Sequence, residues 1–466
     1  IDRLPSGLGE HDFFSGITLH PGGEARRVLI EQSAPGVDVM KRMAQKQRNM
    51  QAILSRAELS RQDQARFLAQ IGELTAGLDD SSAAGVIHQL GRQFHRAGRW
   101  QLAAETFQSL VDRYPEHPLS QAALVWLVQY WSSGEAARRE ELAKNQRAEQ
   151  AAATASQFNG GGLAPPPLAQ AGPLAPPNNV DLRQATVAAI DLSAEADRPG
   201  RAAALGKLLE QRNAAVYAEL PVRFALASAW RNQGFGRQSE RFYLDLARTR
   251  PHDAWWACAA GEQWLAEPQN LPPKAILYAA TGAKPRLDGK LDDDLWTRGK
   301  PVELRSALGD GGDWPAVALV AYDQDYLYLG VHCRRAPGVR YESAGGPRPR
   351  DPDLSAQDRV DFLIDLDRDW TTYYRLTIDH RGWTGEACWG DASWNPTWFV
   401  AADSSDDGWS AEAAIPAAEL TGQAPRPRGV WSLGIQRTVP GAGFQSWTVP
   451  AAASPMPEGF GYLIFE

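Results

Sequence analysis

The stretch Gln357–Trp370, QDRVDFLIDLDRDW, constrains the fold of this 466-residue chain more than any other. One side of its alternating pattern carries Val360, Phe362, Ile364 and Leu366, and the other carries Asp361, Leu363, Asp365 and Asp367. A period of two predicts a β-strand with one face in a core. Carboxylates on the other face are costly to bury unless they are solvated, paired or bound. The acidic face is therefore either a binding surface or the wet side of a β-sandwich.

Composition and charge exclude several classes of protein. An apolar content of 43% and a charged content of 22% are typical of soluble globular proteins, and the length predicts two to four domains. A net charge of -8, with both signs mixed along the chain, predicts no nucleic-acid partner. The absence of a run of about 18 apolar residues predicts no membrane span. The chain opens on Ile1 rather than Met, which allows for an upstream segment such as a signal peptide.

The N-terminal 60% of the chain is predicted to be mainly helical. Residues 1–36, rich in Gly and Pro, are predicted to form an extended arm, and residues 37–156 and 181–271 two parts of a helical domain. Residues 157–180 contain GGGLAPPPLAQAGPLAPPNN, a composition that predicts a Pro/Gly-rich inserted loop. At residue 274 the pattern changes to short alternating runs, so residues 274–466 are predicted to form a β-domain.

The two helical parts repeat a pattern with an offset of 136 positions. The matched pairs are Leu90 and Leu226, Phe94 and Trp230, Gly98 and Gly234, Phe107 and Tyr243, Leu110 and Leu246, and Pro115 and Pro251. This self-similarity predicts a helical repeat. A small residue at the tight helix crossing, an aromatic residue in the second helix and a Pro after it resemble tetratricopeptide repeats. Generic α-helical hairpins are the alternative.

Eight runs in the C-terminal part predict strands of an antiparallel two-sheet sandwich. They are Val317–Tyr322, Tyr326–Arg334, Arg359–Leu366, Tyr373–Asp379, Thr397–Ala402, Trp409–Ile415, Val430–Arg437 and Tyr462–Phe465. The predicted fold class is thus a multidomain α + β protein, with tetratricopeptide-like helical repeats followed by an antiparallel β-sandwich.

Seven motifs in this part resemble, in order, those of family 9 carbohydrate-binding modules, a β-sandwich fold also called DOMON-like. They are RLDGKLD with Trp296, AYDQDYLYLGV, DRVDFLID, GWSAEAAIP, the strand Trp431–Arg437, Ser446-Trp447 and FGYL. The resemblance implies a non-catalytic, exported protein that binds a glycan. No GxSxG, HExxH or P-loop motif is present, which agrees with a protein that is not an enzyme.

The resemblance implies a sugar site at the acidic strand. Asp361 stands where the family has a sugar-binding carboxylate, but Ser355 and Ser454 stand where it has its two stacking tryptophans. Four tryptophans offer either a substitute platform or a plug over the sandwich end: Trp383, Trp389, Trp394 and Trp398. Arg437 and Trp447, from the later motifs, complete the candidate ligand-binding residues.

Closely spaced aspartates on and after the acidic strand suggest a metal site. Asp365, Asp367 and Asp369 place carboxylates two residues apart, and hard oxygen ligands suit structural calcium, which related modules often carry. The alternative is an ordinary solvated acidic turn.

Three scattered cysteines indicate buried thiols, with a disulfide between Cys333 and Cys388 as the alternative.

The leading hypothesis is an extracellular, cell-surface or periplasmic adaptor. It would bind a glycan through the sandwich and a protein partner through the helical repeats, because such repeats present concave binding surfaces. The rival hypothesis is a structural subunit of a larger assembly whose sandwich has lost sugar binding. A minor alternative is a haem-binding DOMON-like protein, with His332, His380 and Met456 as candidate ligands.

Overall fold

The computed structural model describes Thr75 and residues 78–159, 197–343, 346, 348–349, 351–422 and 424–466. The chain divides into two compact units, Ile1–Ala76 and Gly77–Glu466, and every described residue except Thr75 belongs to the second. The predicted arm (1–36), the helical residues 37–74 and residues 160–196, with most of the predicted loop, lie outside the described part. Within that part, every helix is too short or too polar to span a membrane.

The helical layer comprises nine helices that precede the strands in the described residues. They are α1 (Asp80–Arg96), α2 (Trp100–Arg113), α3 (Pro118–Ser132), α4 (Gly134–Asn159), α5 (Arg198–Arg212), α6 (Ala214–Tyr217), α7 (Leu220–Asn232), α8 (Gly236–Thr249) and α9 (Ala254–Ala266). Aspartates begin three of them, because their carboxylates accept from the backbone N–H three residues on: Asp79, Asp197 and Asp253.

The sequence repeat coincides with repeated helices. Helices α8 and α9 begin 136 residues after α2 and α3, at Gly236 and Ala254. Gly98 and Gly234, which the repeat aligns, precede α2 and α8 in the left-handed conformation, with φ of 69° and 80°. That conformation favours glycine because a Cβ would clash with the backbone. The helical prediction is confirmed, whereas membership of the tetratricopeptide family stays a prediction.

Twelve strands follow in the described residues. They are β1 (Ile276–Thr281), β2 (Val302–Leu304), β3 (Ala316–Tyr322), β4 (Tyr326–Arg334), β5 (Arg359–Asp365), β6 (Tyr374–Asp379), β7 (Thr384–Cys388), β8 (Phe399–Ser404), β9 (Gly408–Pro416), β10 (Val430–Val439), β11 (Gly443–Ser446) and β12 (Gly461–Phe465). Two short helices accompany them, α10 (Asp294–Arg298) and α11 (Ala417–Leu420). The eight predicted strands are present with ends shifted by at most two residues, whereas β1, β2, β7 and β11 were not predicted.

The strands form two sheets that share β1. The first sheet has the order β7-β6-β5-β10-β12-β1, with β11 beside β10, and the second has the order β1-β3-β4-β9-β8, with β2 beside β3. Strand β1 runs parallel to β12 through Ile276–Ala279 and then parallel to β3 through Ala280 and Thr281. The prediction of a purely antiparallel sandwich is therefore wrong, because residue alternation does not encode strand direction.

The strand β5 is buried on both faces. Val360, Phe362 and Ile364 face the core as predicted, but the exposed fractions of Asp361 and Asp365 are only 5% and 0%. Of the two alternatives for the acidic face, the wet side of a sandwich is therefore wrong, because other parts of the chain cover this face. Phe460 is one of them, since a Cβ at Gly434 in the neighbouring β10 would lie 2.6 Å from its ring.

The three cysteines are free and buried, which confirms the prediction of buried thiols and excludes the Cys333–Cys388 disulfide. Burial raises the pKa of the Cys258 thiol to about 12, so this side chain is a neutral apolar group in the core.

Two glycines of α1 provide a test of the helix packing. A Cβ at Gly91 would lie 2.6 Å from the Phe107 ring of α2, whereas a Cβ at Gly85 would meet nothing within 4 Å. We expect Gly91→Ala to destabilise the protein by about 1–3 kcal/mol through overpacking. Gly85→Ala should stabilise it by about 0.5–1 kcal/mol, because alanine loses less backbone entropy in a helix. Urea unfolding of both variants measures these changes, and equal effects would contradict the close α1–α2 contact.

Candidate ligand-binding site

A row of small and polar residues crosses the outer face of the first sheet. The register pairs Asp361 of β5 with Thr377 of β6 and with Gln436 of β10. It further pairs Thr377 with Gly385 of β7, and Gln436 with Ser446 of β11. Paired residues of adjacent strands share a face. These five residues, called the polar row below, therefore lie side by side across five strands.

Asp361 is held rigidly in this row. Nε and Nη2 of Arg375 donate to its two carboxylate oxygens at 2.9 and 3.0 Å, and the Thr377 hydroxyl donates to Oδ1 at 2.5 Å. Burial alone would lower the pKa of Arg375, but the charge and hydrogen bonds of Asp361 raise it. The Arg375 side chain is 33% exposed. The pair thus presents a fixed, charged group at the edge of the row.

Gln436 adds a carboxamide whose hydrogen-bonding groups have no protein partner. Its residue is only 4% exposed, yet its carboxamide makes no hydrogen bond to any side chain or backbone group in the described part of the chain. Neither amide atom is among the fully buried atoms that lack a partner, so the two donors and the acceptor of this amide can still bond to water or to a ligand. Arg375, Thr377 and Gln436 were not predicted as site residues. Their alternation on β6 and β10, in register with Asp361, is the signal that could have identified them.

Trp383 is the predicted tryptophan that shares the face of Asp361. The backbone N–H of Asp379 donates to Trp383 O, which continues the β6–β7 pairing, and Asp379 is paired with Arg359 two residues from Asp361. Trp383 is half-buried, and the guanidinium of Arg381 lies 3.8 Å from its ring centroid. Two residues along a strand correspond to about 6.6 Å, so the ring can lie near the polar row.

The other three tryptophans of the predicted platform lie elsewhere. Trp389 projects into the helical layer and stacks on Trp126 with ring centroids 5.2 Å apart. Trp394 is buried against Tyr374, a core residue, at 4.5 Å. Trp398 donates its indole N–H to Glu386. The register pairs Glu386 with the core residue Leu376, so this contact is on the core side of the sheet. The structure thus shows no four-tryptophan platform.

Arg437 is part of the core rather than of a ligand site. Its guanidinium and the Asp358 carboxylate are both 0% exposed and form two hydrogen bonds of 2.9 and 2.6 Å. It also donates to the carbonyls of Trp314 and of Arg334, so it links the first sheet to β4 of the second. The prediction of Arg437 as a ligand-binding residue does not fit this burial, because a ligand cannot reach it.

The surroundings of the row limit what it can hold. Trp447 follows β11, and its ring lies against Gly461, which the register pairs with the core residue Leu433, so the ring is on the face away from the polar row. Residues of the 448–460 segment cover the Gln436 side and leave no space there for even a water-sized group. Typical small-molecule pockets have about 300–1,000 Å³. Ser355 and Ser454 are both exposed and bring no ring to the site.

The sequence-predicted metal ligands lie where the sheet meets the helical layer. Glu135, at the start of α4, lies beside Asp365 and Asp367, and one carboxylate oxygen from each falls within 4.8 Å of the others. Asp369 is instead occupied by the N–H groups of Thr371 and Thr372 and by the Thr372 hydroxyl. The three carboxylates that lie together are therefore those of Glu135, Asp365 and Asp367, with Glu135 in the place predicted for Asp369.

These carboxylates are strongly perturbed. Burial, together with the charges of Asp367 and Asp369, raises the pKa of Glu135 well above its usual range. Burial and the neighbouring charge of Asp367 raise the pKa of Asp369 to about 7. Burial likewise raises the pKa of Asp365, with further contributions from Asp369 and Glu135. Ionising all of these groups without a compensating cation is unfavourable.

A buried carboxylate on the second sheet and the haem candidates have structural environments of their own. Glu412 of β9 accepts from the backbone N–H groups of Asp288 and Gly289 and from the Trp296 indole. This accounts structurally for the LDG…W motif. Of the haem candidates, His332 is exposed on β4, whereas His380 is buried and bonded to the Glu342 carbonyl. Haem binding stays a prediction.

Comparisons with known proteins find similarity in solved structures alone. No family model matches the sequence, and no curated protein matches it. A family 9 carbohydrate-binding module from Caldicellulosiruptor kristjanssonii in complex with cellotriose is 18% identical, with a TM-score of 0.32, over 41% of this chain and 94% of that one. Its complex with glucose gives 15% identity and a TM-score of 0.30, over 41% and 96%. A protein from Bacteroides uniformis gives 13% and 0.33, over 41% and 100%.

Similarities at this level carry no argument about the ligand. The assignment of the site therefore rests on the residues of this chain, and chiefly on the polar row and Trp383.

The core position of Arg437 can be tested by substitution. We expect Arg437→Met to destabilise the protein by about 3–5 kcal/mol, because it leaves the Asp358 carboxylate buried without its partner. Arg298→Met is the control, since Arg298 lies 3.9 Å from Asp294 in an exposed pair and should change nothing measurable. Thermal unfolding compares the two. If Arg437→Met left the protein equally stable but changed its ligand binding, Arg437 would be a ligand-binding residue and not part of the core.

Proposed function

We propose that this protein is a non-catalytic, exported adaptor whose β-domain binds a glycan. The observation that carries the proposal is the polar row, in which a clamped carboxylate and an unpaired carboxamide lie beside the partly exposed guanidinium of Arg375. Sugar hydroxyls both donate and accept, so they complement this set of groups. The motif resemblance to family 9 carbohydrate-binding modules supports the same ligand class, and export follows from the resemblance alone.

The proposed binding mode is shallow. The 448–460 segment leaves no free space above Gln436, so the sugar would lie against the other side of the row, from Asp361 toward Gly385. Trp383 would contact the apolar face of a sugar ring, as aromatic side chains do in such sites. With one ring in place of two, the affinity should be modest.

The helical layer supports the second half of the proposal, a protein partner. A groove of about 350 Å³ lies between α5, α7 and the start of α8, lined on its apolar side by Leu226, Trp230 and Phe235. Phe235 is 58% exposed, although it is large and apolar. An apolar side chain of a partner peptide would fill this groove and cover Phe235.

One observation favours the rival function, a structural subunit without a sugar ligand. Ser355 and Ser454 are exposed at positions where the related modules carry their aromatic rings, so the original stacking mode is absent. If the protein bound to no glycan on plant, algal and bacterial arrays, the result would favour this rival function.

Binding measurements distinguish the two functions. We expect array hits, followed by calorimetry with the hit or with cellotriose and glucose as first probes, to show binding by the intact protein. Trp383→Ala and Arg375→Lys should each weaken binding about tenfold, because each removes a contact worth roughly 1.4 kcal/mol. Trp398→Ala is the matched control, since this ring lies on the other side of the sheet. Equal loss in all three variants would rule out the proposed face.

The groove is tested independently of any glycan. We expect a displayed peptide library to yield sequences with an apolar anchor that bind the intact protein and are lost with Phe235→Ser. Exposed Leu308, outside the groove, provides the control Leu308→Ser. Peptides that bind both variants equally would place the partner surface elsewhere.

A further inference from the structure

The groove between α5, α7 and the start of α8 is lined by aromatic rings. Tyr217, Trp230 and Phe235 supply these rings, and Phe235 is 58% exposed. The two charged residues of its wall, Lys207 and Glu210, have opposite signs, so the groove carries no net charge. A groove of this kind favours an uncharged ligand whose apolar groups pack on aromatic faces.

The groove also offers hydrogen-bond donors that are not in use. The Trp230 indole N–H and the Tyr217 hydroxyl make no hydrogen bond in the part of the chain that the structure describes, and neither is among the enclosed side-chain atoms that lack a partner there. Both groups can therefore donate to a ligand. Trp256 of α9 shows the contrast, because its indole N–H already donates to the carbonyl of Ala247.

Proline-rich segments are ligands that fit a groove with these properties. A polyproline II helix makes no internal hydrogen bonds, so its backbone carbonyls remain available to donors such as an indole N–H. Its proline rings pack on aromatic side chains, and little conformational entropy is lost on binding because the helix is already formed. Aromatic faces beside free donors are thus the combination that recognises a proline-rich peptide.

The chain itself contains such a segment. Leu163–Pro177 reads LAPPPLAQAGPLAPP, in which Leu-Ala-Pro-Pro occurs twice, beginning at Leu163 and at Leu174. Residues 160–180 contain no charged side chain, which matches the lack of net charge in the groove. Because these residues lie between α4 and α5, the segment is attached to a helix that forms one wall of the groove.

The described part of the chain resumes after this segment at the edge of the groove. Oδ1 of Asp197, at the N-terminus of α5, accepts from Nε2 of Gln233 at 3.1 Å, and Gln233 lines the groove. About 20 residues connect Pro177 to Asp197, and an extended chain of that length spans up to about 66 Å. The connection is therefore long enough for the segment to reach the groove.

We propose that Leu163–Pro177 is a ligand of this chain's own groove, where its prolines pack on Trp230 and Phe235 and a carbonyl accepts from the Trp230 indole. The inference rests on the proposed use of the groove as a peptide-binding surface, and it names the peptide. A tether of this length gives an effective concentration of about 1 mM, so a segment with a Kd of about 100 µM would occupy most of the groove. A protein partner would then compete with this segment and bind about tenfold more weakly than to an empty groove.

A labelled LAPPPLAQAGPLAPP peptide tests the proposal on the full chain by fluorescence anisotropy. One variant replaces residues 163–177 by Gly and Ser at the same length. A second variant keeps the rest of the segment and carries four substitutions: Pro165→Ala, Pro166→Ala, Pro176→Ala and Pro177→Ala. We expect both variants to bind the peptide about tenfold more tightly than wild type does, because the chain's own segment no longer competes. Phe235→Ser in the Gly/Ser variant should abolish this gain, whereas the control Leu308→Ser should leave it unchanged.

Three results would overturn the proposal. If the peptide bound wild type and both variants with equal affinity, the chain's own segment would not occupy the groove. If the peptide bound none of them while library peptides still bound in a manner that depends on Phe235, the segment would not be the ligand, but the proposed partner surface would stand. If neither the peptide nor any library sequence bound, the proposed partner surface would be wrong as well.

Discussion

The helical layer and the β-domain are joined by a buried acidic contact on which much of the structure depends. Glu135 and Gly134 bind the loop after β5, and Thr372 closes the contact through its hydroxyl. Carboxylates are costly to bury, so this contact is stable only when their charges are compensated. The consequence is a coupling between two parts of the chain that sequence patterns present as separate domains. Anything that neutralises these carboxylates also stabilises the packing of the helices on the sheet.

A second buried ion pair performs a different task inside the sandwich. Arg437 and Asp358 lie between the sheets, and Arg437 reaches carbonyls that precede β3 and end β4. Its long side chain satisfies backbone groups that neighbouring strands leave open, so polar atoms occur in the core without being orphaned. The same motif arginine that resembles a ligand-binding residue is thus explained by the need to satisfy the ends of adjacent strands.

The sequence predicts the elements better than their surroundings. Alternation located eight strands because one apolar face is enough to produce it. Four strands were not predicted: β1, β2, β7 and β11. They are short or, as in ILYAAT of β1, are buried at positions that do not alternate. The site shows the same limit. Asp361 was identifiable from its strand, but its partners Arg375 and Gln436 required the register, and Glu135 required tertiary packing across the chain. Alternation reports one face of a strand and says nothing of what covers the other.

The tryptophans show why composition alone misleads about a binding face. Trp389 adopts a left-handed backbone conformation, with φ of 47°, and its ring packs among His95, Trp100 and Trp126 of the helical layer. Such a ring buries a large apolar area where two layers meet. The helices therefore occupy both the aromatic loop and the Asp365 end of the outer face, where Gly261 of α9 closely approaches the Tyr462 hydroxyl. At the other end of the sheet Trp383 and Arg375 are partly exposed, whereas Asp361 and Thr377 beneath them are only 5% and 6% exposed. The packing of the helical layer, rather than the count of aromatic residues, determines where a ligand can bind.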